Sequence, residues 1–182
     1  AAEPVAGEAS VIPLDGFKDS IDHWGDKHGK DYPRYAPSDV VQIADNLLRY
    51  QRKDGGWKEN QDLLRILDEA EQARIAAENS TTGGSFDNRN VYTQVDYLAN
   101  AFARTGDTRY RDASVRGLEF ILSHQIPSCG GWPHTVPGRE RYHPYVTFAD
   151  EVTPGVLSTL RRVLQDQEFS FVAATMREGV RQ

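Results

Sequence analysis

A motif that occurs twice restricts most strongly how this chain can fold. Leu47-Leu48-Arg49-Tyr50-Gln51 leads into Gly55-Gly56-Trp57-Lys58, and Phe120-Ile121-Leu122-Ser123-His124-Gln125 leads into Gly130-Gly131-Trp132-Pro133. Each copy is an apolar helix end, a glutamine, a short gap, and a glycine pair before a tryptophan. A helix end that recurs with its loop is the signature of repeated helical hairpins. The glycines permit a tight turn, and the tryptophan either roofs the helix end or offers its ring to a ligand. Hairpins set in a ring gather such loops at one rim of an α/α toroid.

Apolar spacing supports the hairpins. Phe17, Ile21 and Trp24 predict a short helix over 15–24, followed by a loop over 25–37. Ser38 is the expected cap of a helix whose stripe is Val41, Ala44, Leu47 and Leu48. Leu63, Ile66, Leu67 and Ala70 predict a helix over 62–77. Val91, Val95, Leu98 and Phe102 predict one over 89–104, and Tyr110, Ala113, Leu118 and Ile121 one over 109–125. The short turn at Thr105-Gly106-Asp107 makes those last two an antiparallel pair. A long irregular stretch, 126–147, then leads to helices over 150–165 and 171–182. No alternating strand pattern stands out, so the reading is all-α. Residues 1–14 are expected to be a tail and 15–182 one domain.

Net charge is −6, which argues against general nucleic-acid binding, because phosphate neutralisation needs excess Lys and Arg. No apolar run approaches the roughly 20 residues of a membrane helix. The small, polar start AAEPVAGEAS suits a mature N-terminus left by cleavage of a signal peptide, and an ordinary frayed tail equally well. The single Cys129 cannot form an internal disulfide.

If the loops converge, they bring together Trp57, Lys58 and Asn60; Asp87 and Asn88; Trp132, His134, Arg139, Arg141, Tyr142 and His143; and Asp150 with Glu151. Carboxylates are hard oxygen ligands suited to calcium, while the lack of an HxxxH or a cysteine cluster disfavours zinc. Two acids such as Asp87 and Asp150 could also serve a glycoside hydrolase. Neighbouring cations favour a negatively charged substrate instead, since they depress carboxylate pKa and spoil a general acid. On its own, the Ser80–Gln94 stretch also fits a simple capped helix.

GGWKEN, SFDNRNVYTQVDYLANAFARTGDTRYRDA and CGGWPHTVPGRERYHPYVTFADE together resemble the polysaccharide lyase family 10 pectate lyases, from about residue 38 onward. The resemblance implies an (α/α)3 toroid, here expected to be incomplete at its C-terminus. It implies calcium-dependent β-elimination of α-1,4-polygalacturonate by a secreted, monomeric enzyme of plant-cell-wall degradation. Asp87 and Asp150 fall at the family's active-site acids, and Asp150, Glu151 and Asp87 at its metal-associated carboxylates. Trp57, Lys58, Asn88, Trp132, Arg139 and Tyr142 fall in cleft-lining motif positions. Ala149 stands where the family often has Asn. The family's arginine base lies well downstream of the TF.D motif, so it is expected beyond Gln182.

Overall fold

The computed structural model describes residues 11–140 and 142–182. Its centre is an antiparallel hairpin of α4 (Tyr92–Thr105) and α5 (Thr108–Ser123). Gly106 closes α4 in the left-handed conformation at φ 71°, and Asp107 caps α5 by accepting from the Arg109 N–H at 2.9 Å. The inward faces of both helices are fully buried: Val95, Leu98 and Ala99 from α4, and Ala113, Leu118 and Ile121 from α5.

Around this pair stand α1 (Lys18–His28), α2 (Val40–Tyr50), α3 (Glu69–Glu78), α6 (Val152–Gln165) and α7 (Ala174–Arg181). Helix α2 packs on α4 and α5, and α6 packs on α4. Pro154 sits in the first turn of α6, where its missing N–H costs no helical bond. The described residues are thus mostly helical. They add a two-residue ladder that the sequence pattern did not predict: β1 (Gly84–Ser85) pairs antiparallel with β2 (Thr135–Val136).

Several expected boundaries move, each for a local reason. Helix α1 runs on to His28, through Gly25, before Gly29 ends it at φ 82°. Ser38 is not the cap of α2; Asp39 holds that position and turns its carboxylate back to accept from the Ala36 N–H at 2.8 Å. Residues 62–67 are not helical, because Asp62 is buried and accepts from Tyr32, Arg34 and the Leu64 N–H. Helix α3 starts at Glu69 instead, behind a reciprocal capping box between Asp68 and Glu71. At the N-terminal side, Ile12 is 3% exposed and belongs to the core, so the expected tail is shorter than 1–14, and residues 1–10 lie outside the described residues.

The sequence repeat is a repeat of hydrogen bonds. In the first copy Gln51 Nε2 donates to Gly55 O, Arg52 N to Gly56 O and Trp57 Nε1 to Leu47 O. In the second, Gln125 Nε2 donates to Gly130 O, Ile126 N to Gly131 O and Trp132 Nε1 to Ile121 O. Each glutamine ties the turn to its helix end, and each indole adds a second donor to a helix-end carbonyl that the Gln51 or His124 N–H also reaches. Both tryptophans are therefore structural. At 1% and 0% exposure, Trp57 and Trp132 have no ring face free for a sugar, which corrects their expected place among substrate-binding residues.

Candidate active site

The repeat continues into the loops that carry the acids. Ser85 N donates to Trp57 O at 3.2 Å, and Thr147 N donates to Trp132 O at 3.0 Å. From these matched residues each chain enters a 3-10 turn: Asp87–Arg89 after Phe86, and Ala149–Glu151 after Phe148. Asn88 (φ 51°, ψ 43°) and Asp150 (φ 51°, ψ 32°) then hold the same left-handed conformation. Ser-Phe-Asp-Asn-Arg and Thr-Phe-Ala-Asp-Glu are two versions of one turn. The two turns pack against each other.

Left-handed backbone is uncommon outside glycine, and Asn and Asp tolerate it best. Here it extends to Arg89 at φ 61° and Glu151 at φ 55°. Val91 lies at φ 71°, ψ −63°, the centre of a γ-turn closed by Tyr92 N on Asn90 O at 3.0 Å. For a buried β-branched residue that conformation is strained, and such strain concentrates at functional sites. It also explains why α4 begins at Tyr92 and not at Arg89. Asn90 holds the strained segment by donating to Trp57 O and Ser85 O.

Asp87 is enclosed on several sides. Its Oδ1 lies 3.3 Å from His134 Nε2, the two side chains being 17% and 14% exposed. Its Oδ2 accepts from Asn88 Nδ2 at 3.2 Å, and the same amide donates to Asn60 Oδ1 at 2.8 Å. Burial pushes the Asp87 carboxyl above its ordinary range, His134 pulls it down, and the charge of Asp150 pushes it up again. Asp150 is itself exposed.

The tautomer of His134 follows from its neighbours. Ser85 Oγ has one proton and donates it to His134 O at 3.0 Å, so Thr135 donates to Ser85 across their 3.1 Å contact. Thr135 Oγ1 must then accept from His134 Nδ1, 2.7 Å away. Nδ1 therefore carries a proton, and a hydrogen bond between Nε2 and Asp87 needs one more, on the ring or on the carboxyl. Sequence reasoning placed His134 among the loop residues but gave it no role. Its contact with Asp87 spans the β1–β2 ladder, which no local pattern reveals.

The remaining expected residues divide. Asn88 joins Asp87 directly. Tyr142 is 55% exposed and its ring stands edge-on to His134 and His143 at 5.4 and 4.6 Å, which brings it beside the acids. Arg139 is exposed in the same loop, with its backbone N–H on His143 Nδ1. Arg141 falls outside the described residues. Lys58 turns away, toward Glu78 at 3.9 Å. Glu151 is held by Arg89 at 2.9 Å.

That pairing bears on the metal. Among the described residues no group of three or more His, Cys, Asp or Glu is gathered to hold an ion, so Asp87, Asp150 and Glu151 do not form the expected triad. The turns that carry Asp87 and Asp150 pack together, and the charge of Asp150, like that of Glu59, raises the Asp87 carboxyl. Two hard carboxylates that repel one another fit part of a calcium shell, which takes six to eight oxygens and accepts waters and substrate groups among them.

A sequence-family model described as pectic acid lyase matches residues 51–179, which takes in both Gly-Gly-Trp turns and both acid turns. The chain belongs to the pectic acid lyase family. Its fold matches a family 10 polysaccharide lyase from Cellvibrio cellulosa with a TM-score of 0.63 at 22% identity, over 94% of this chain and 48% of that one. A mutant of the same lyase in complex with trigalacturonic acid matches with a TM-score of 0.63 at 21% identity, over 94% and 49%. This lyase-family chain therefore spans about half the length of the solved structures it matches, and shares their helical fold. No curated protein sequence matches it.

Proposed function

We propose that this chain carries the acidic centre of a secreted, calcium-assisted pectate lyase acting on α-1,4-polygalacturonate. The observation that carries the reading is the packing of the Asp87 turn against the like-folded Asp150 turn, within a family match that includes both. Family membership and the trigalacturonic acid bound by a structural relative support the substrate class.

β-Elimination removes the proton at C5 of a uronate, next to its carboxylate. Calcium, when bound, would neutralise that carboxylate and stabilise the negative charge that develops as the proton leaves. Asp87 and Asp150 are the residues that would hold it. His134 and Asn88 fix the Asp87 carboxylate on both of its oxygens, so its orientation is set before substrate arrives. Tyr142 offers an exposed ring beside the acids for a sugar face. Among the described residues no arginine is paired with Asp87 or Asp150; Arg89 serves Glu151 and Asp19. Asp87, Asp150, Asn88 and His134 would thus position the ion and, through it, the substrate carboxylate.

The test is to incubate the protein with polygalacturonate and follow the ultraviolet absorbance of unsaturated uronate ends. The reading expects a rise that EDTA abolishes. New reducing ends without unsaturation, indifferent to EDTA, would make the chain a glycoside hydrolase. Calcium-dependent binding with no product would make it a non-catalytic acidic-glycan module.

A further inference from the structure

We propose that a cleft adjoining the acid turns is a second binding region that holds further rings of an acidic polysaccharide. It would do so by placing uronate carboxylates on lysine and arginine side chains. This rests on the pectate reading above and extends it beyond the two acid turns. The cleft, about 920 Å³, lies between the C-terminal half of α1, the Tyr32 loop, the Lys58–Gln61 loop and α3. That volume is at the upper end of the roughly 300–1,000 Å³ of small-ligand sites.

Its lining is built and polar. Arg65, 8% exposed, lies over the Trp24 ring at 4.5 Å and is paired with Glu71. Its guanidinium also interacts with the buried Tyr50 hydroxyl, which anchors it in the cleft wall. Higher on the walls, Lys58 and Arg74 both lean on Glu78, at 3.9 and 3.7 Å. Those separations are too long for hydrogen bonds, so the N–H groups of both remain available to a carboxylate.

The ligand class follows from what surrounds these groups. No large exposed apolar side chain among the described residues lines the cleft, so it lacks the apolar centre of a protein interface. Asp26, Asp31, Glu59 and Glu71 stand among its bases, where they can accept from sugar hydroxyls. Donors and acceptors interspersed with a few cations suit a chain of hydroxyls with a carboxylate on each ring. The cleft is also continuous with the acid turns. Asn60 lines it and accepts from Asn88, the neighbour of Asp87.

The experiment is calorimetric titration of the intact protein with trigalacturonate and with hexagalacturonate, at saturating calcium. Wild type should bind the longer chain about tenfold more tightly, the gain expected of one added charge-assisted contact. The variant carrying Lys27→Ala and Arg74→Ala, two exposed cations that line the cleft, should lose that advantage while its trigalacturonate affinity holds. Circular dichroism should confirm an unchanged fold. A double variant that keeps the advantage, or a wild type without one, overturns the cleft and leaves the acid turns standing. A wild type that binds neither oligosaccharide overturns the pectate reading itself.

Discussion

Asn88 and Asp150 occupy the same position in two copies of one turn, with φ 51° at both and ψ 43° and 32°. The duplication brings an amide and a carboxylate to equivalent places, while Asp87 of the first copy faces Ala149 of the second in the alignment. The two copies therefore share a backbone but divide the chemistry. One copy supplies an enclosed acid steadied by histidine; the other supplies an exposed acid. Phe86 and Phe148 divide in the same way, at 0% and 67% exposure.

The two tryptophans should behave as structural residues. Trp57→Phe and Trp132→Phe each remove an indole N–H from a buried helix-end carbonyl, at Leu47 and Ile121. Each carbonyl keeps a backbone donor, the Gln51 or His124 N–H, so the loss is that of one net hydrogen bond, about 0.5–1.5 kcal/mol. Urea denaturation should show a loss of that size for each variant, with galacturonan affinity unchanged once the protein is folded. A selective loss of sugar binding at full stability would restore the rings as ligand platforms.

Asp87 should make the metal-free protein lose stability as pH rises. Its carboxyl titrates above the ordinary value of 3.8 in the fold, so the folded state binds more protons than the unfolded one just above that value. Its contribution is full below the ordinary range and is lost as pH climbs through the raised value. Asp87→Asn removes this titration. Thermal melts in EDTA should therefore show the variant gaining on wild type from pH 3.8 upward, and then levelling. A difference independent of pH would show that burial does not hold the proton on.

Two glycines with positive φ should respond differently to alanine. At Gly55, φ 94°, a Cβ would lie 2.2 Å from the backbone oxygen of Arg116, a clash only backbone movement can relieve. At Gly106, φ 71°, a Cβ meets nothing within 4 Å. Gly106→Ala should cost about 1–2 kcal/mol, the left-handed penalty alone. Gly55→Ala should cost several times more and separate α2 from α5. Equal melting temperatures would refute the role given to the turn.

Local signals carried most of the fold. The stripes of α4 and α5 were legible because each helix packs one face on the other, which keeps the period intact from Val95 to Ile121. The repeat was legible too, since Gln, Gly-Gly and Trp stand at nearly the same spacing in both copies. What the tryptophans do was not, because glycine-flanked Trp suits a lid and a platform equally, and only the buried carbonyl partner decides. The start of α3 was misplaced although Asp68 and Glu71 spell out a capping box, because the apolar run over 63–67 has an apparent helical period while it packs as extended chain. The contact of His134 with Asp87 depends on a ladder of two residues per strand, too short to leave an alternating pattern.

The central claim is that Asp87 and Asp150 together hold a uronate through calcium. Trigalacturonate titrated into wild type and into Asp150→Ala, each with calcium and with EDTA, tests it most directly. Asp150 is exposed, so its loss should cost stability no more than about 1–2 kcal/mol, the left-handed penalty of alanine at φ 51°. Wild type should bind only with calcium, and Asp150→Ala should lose binding by about tenfold or more, the scale of a charged group removed from a ligand site. Binding in wild type that ignores EDTA, or that survives undiminished in Asp150→Ala, would contradict the account.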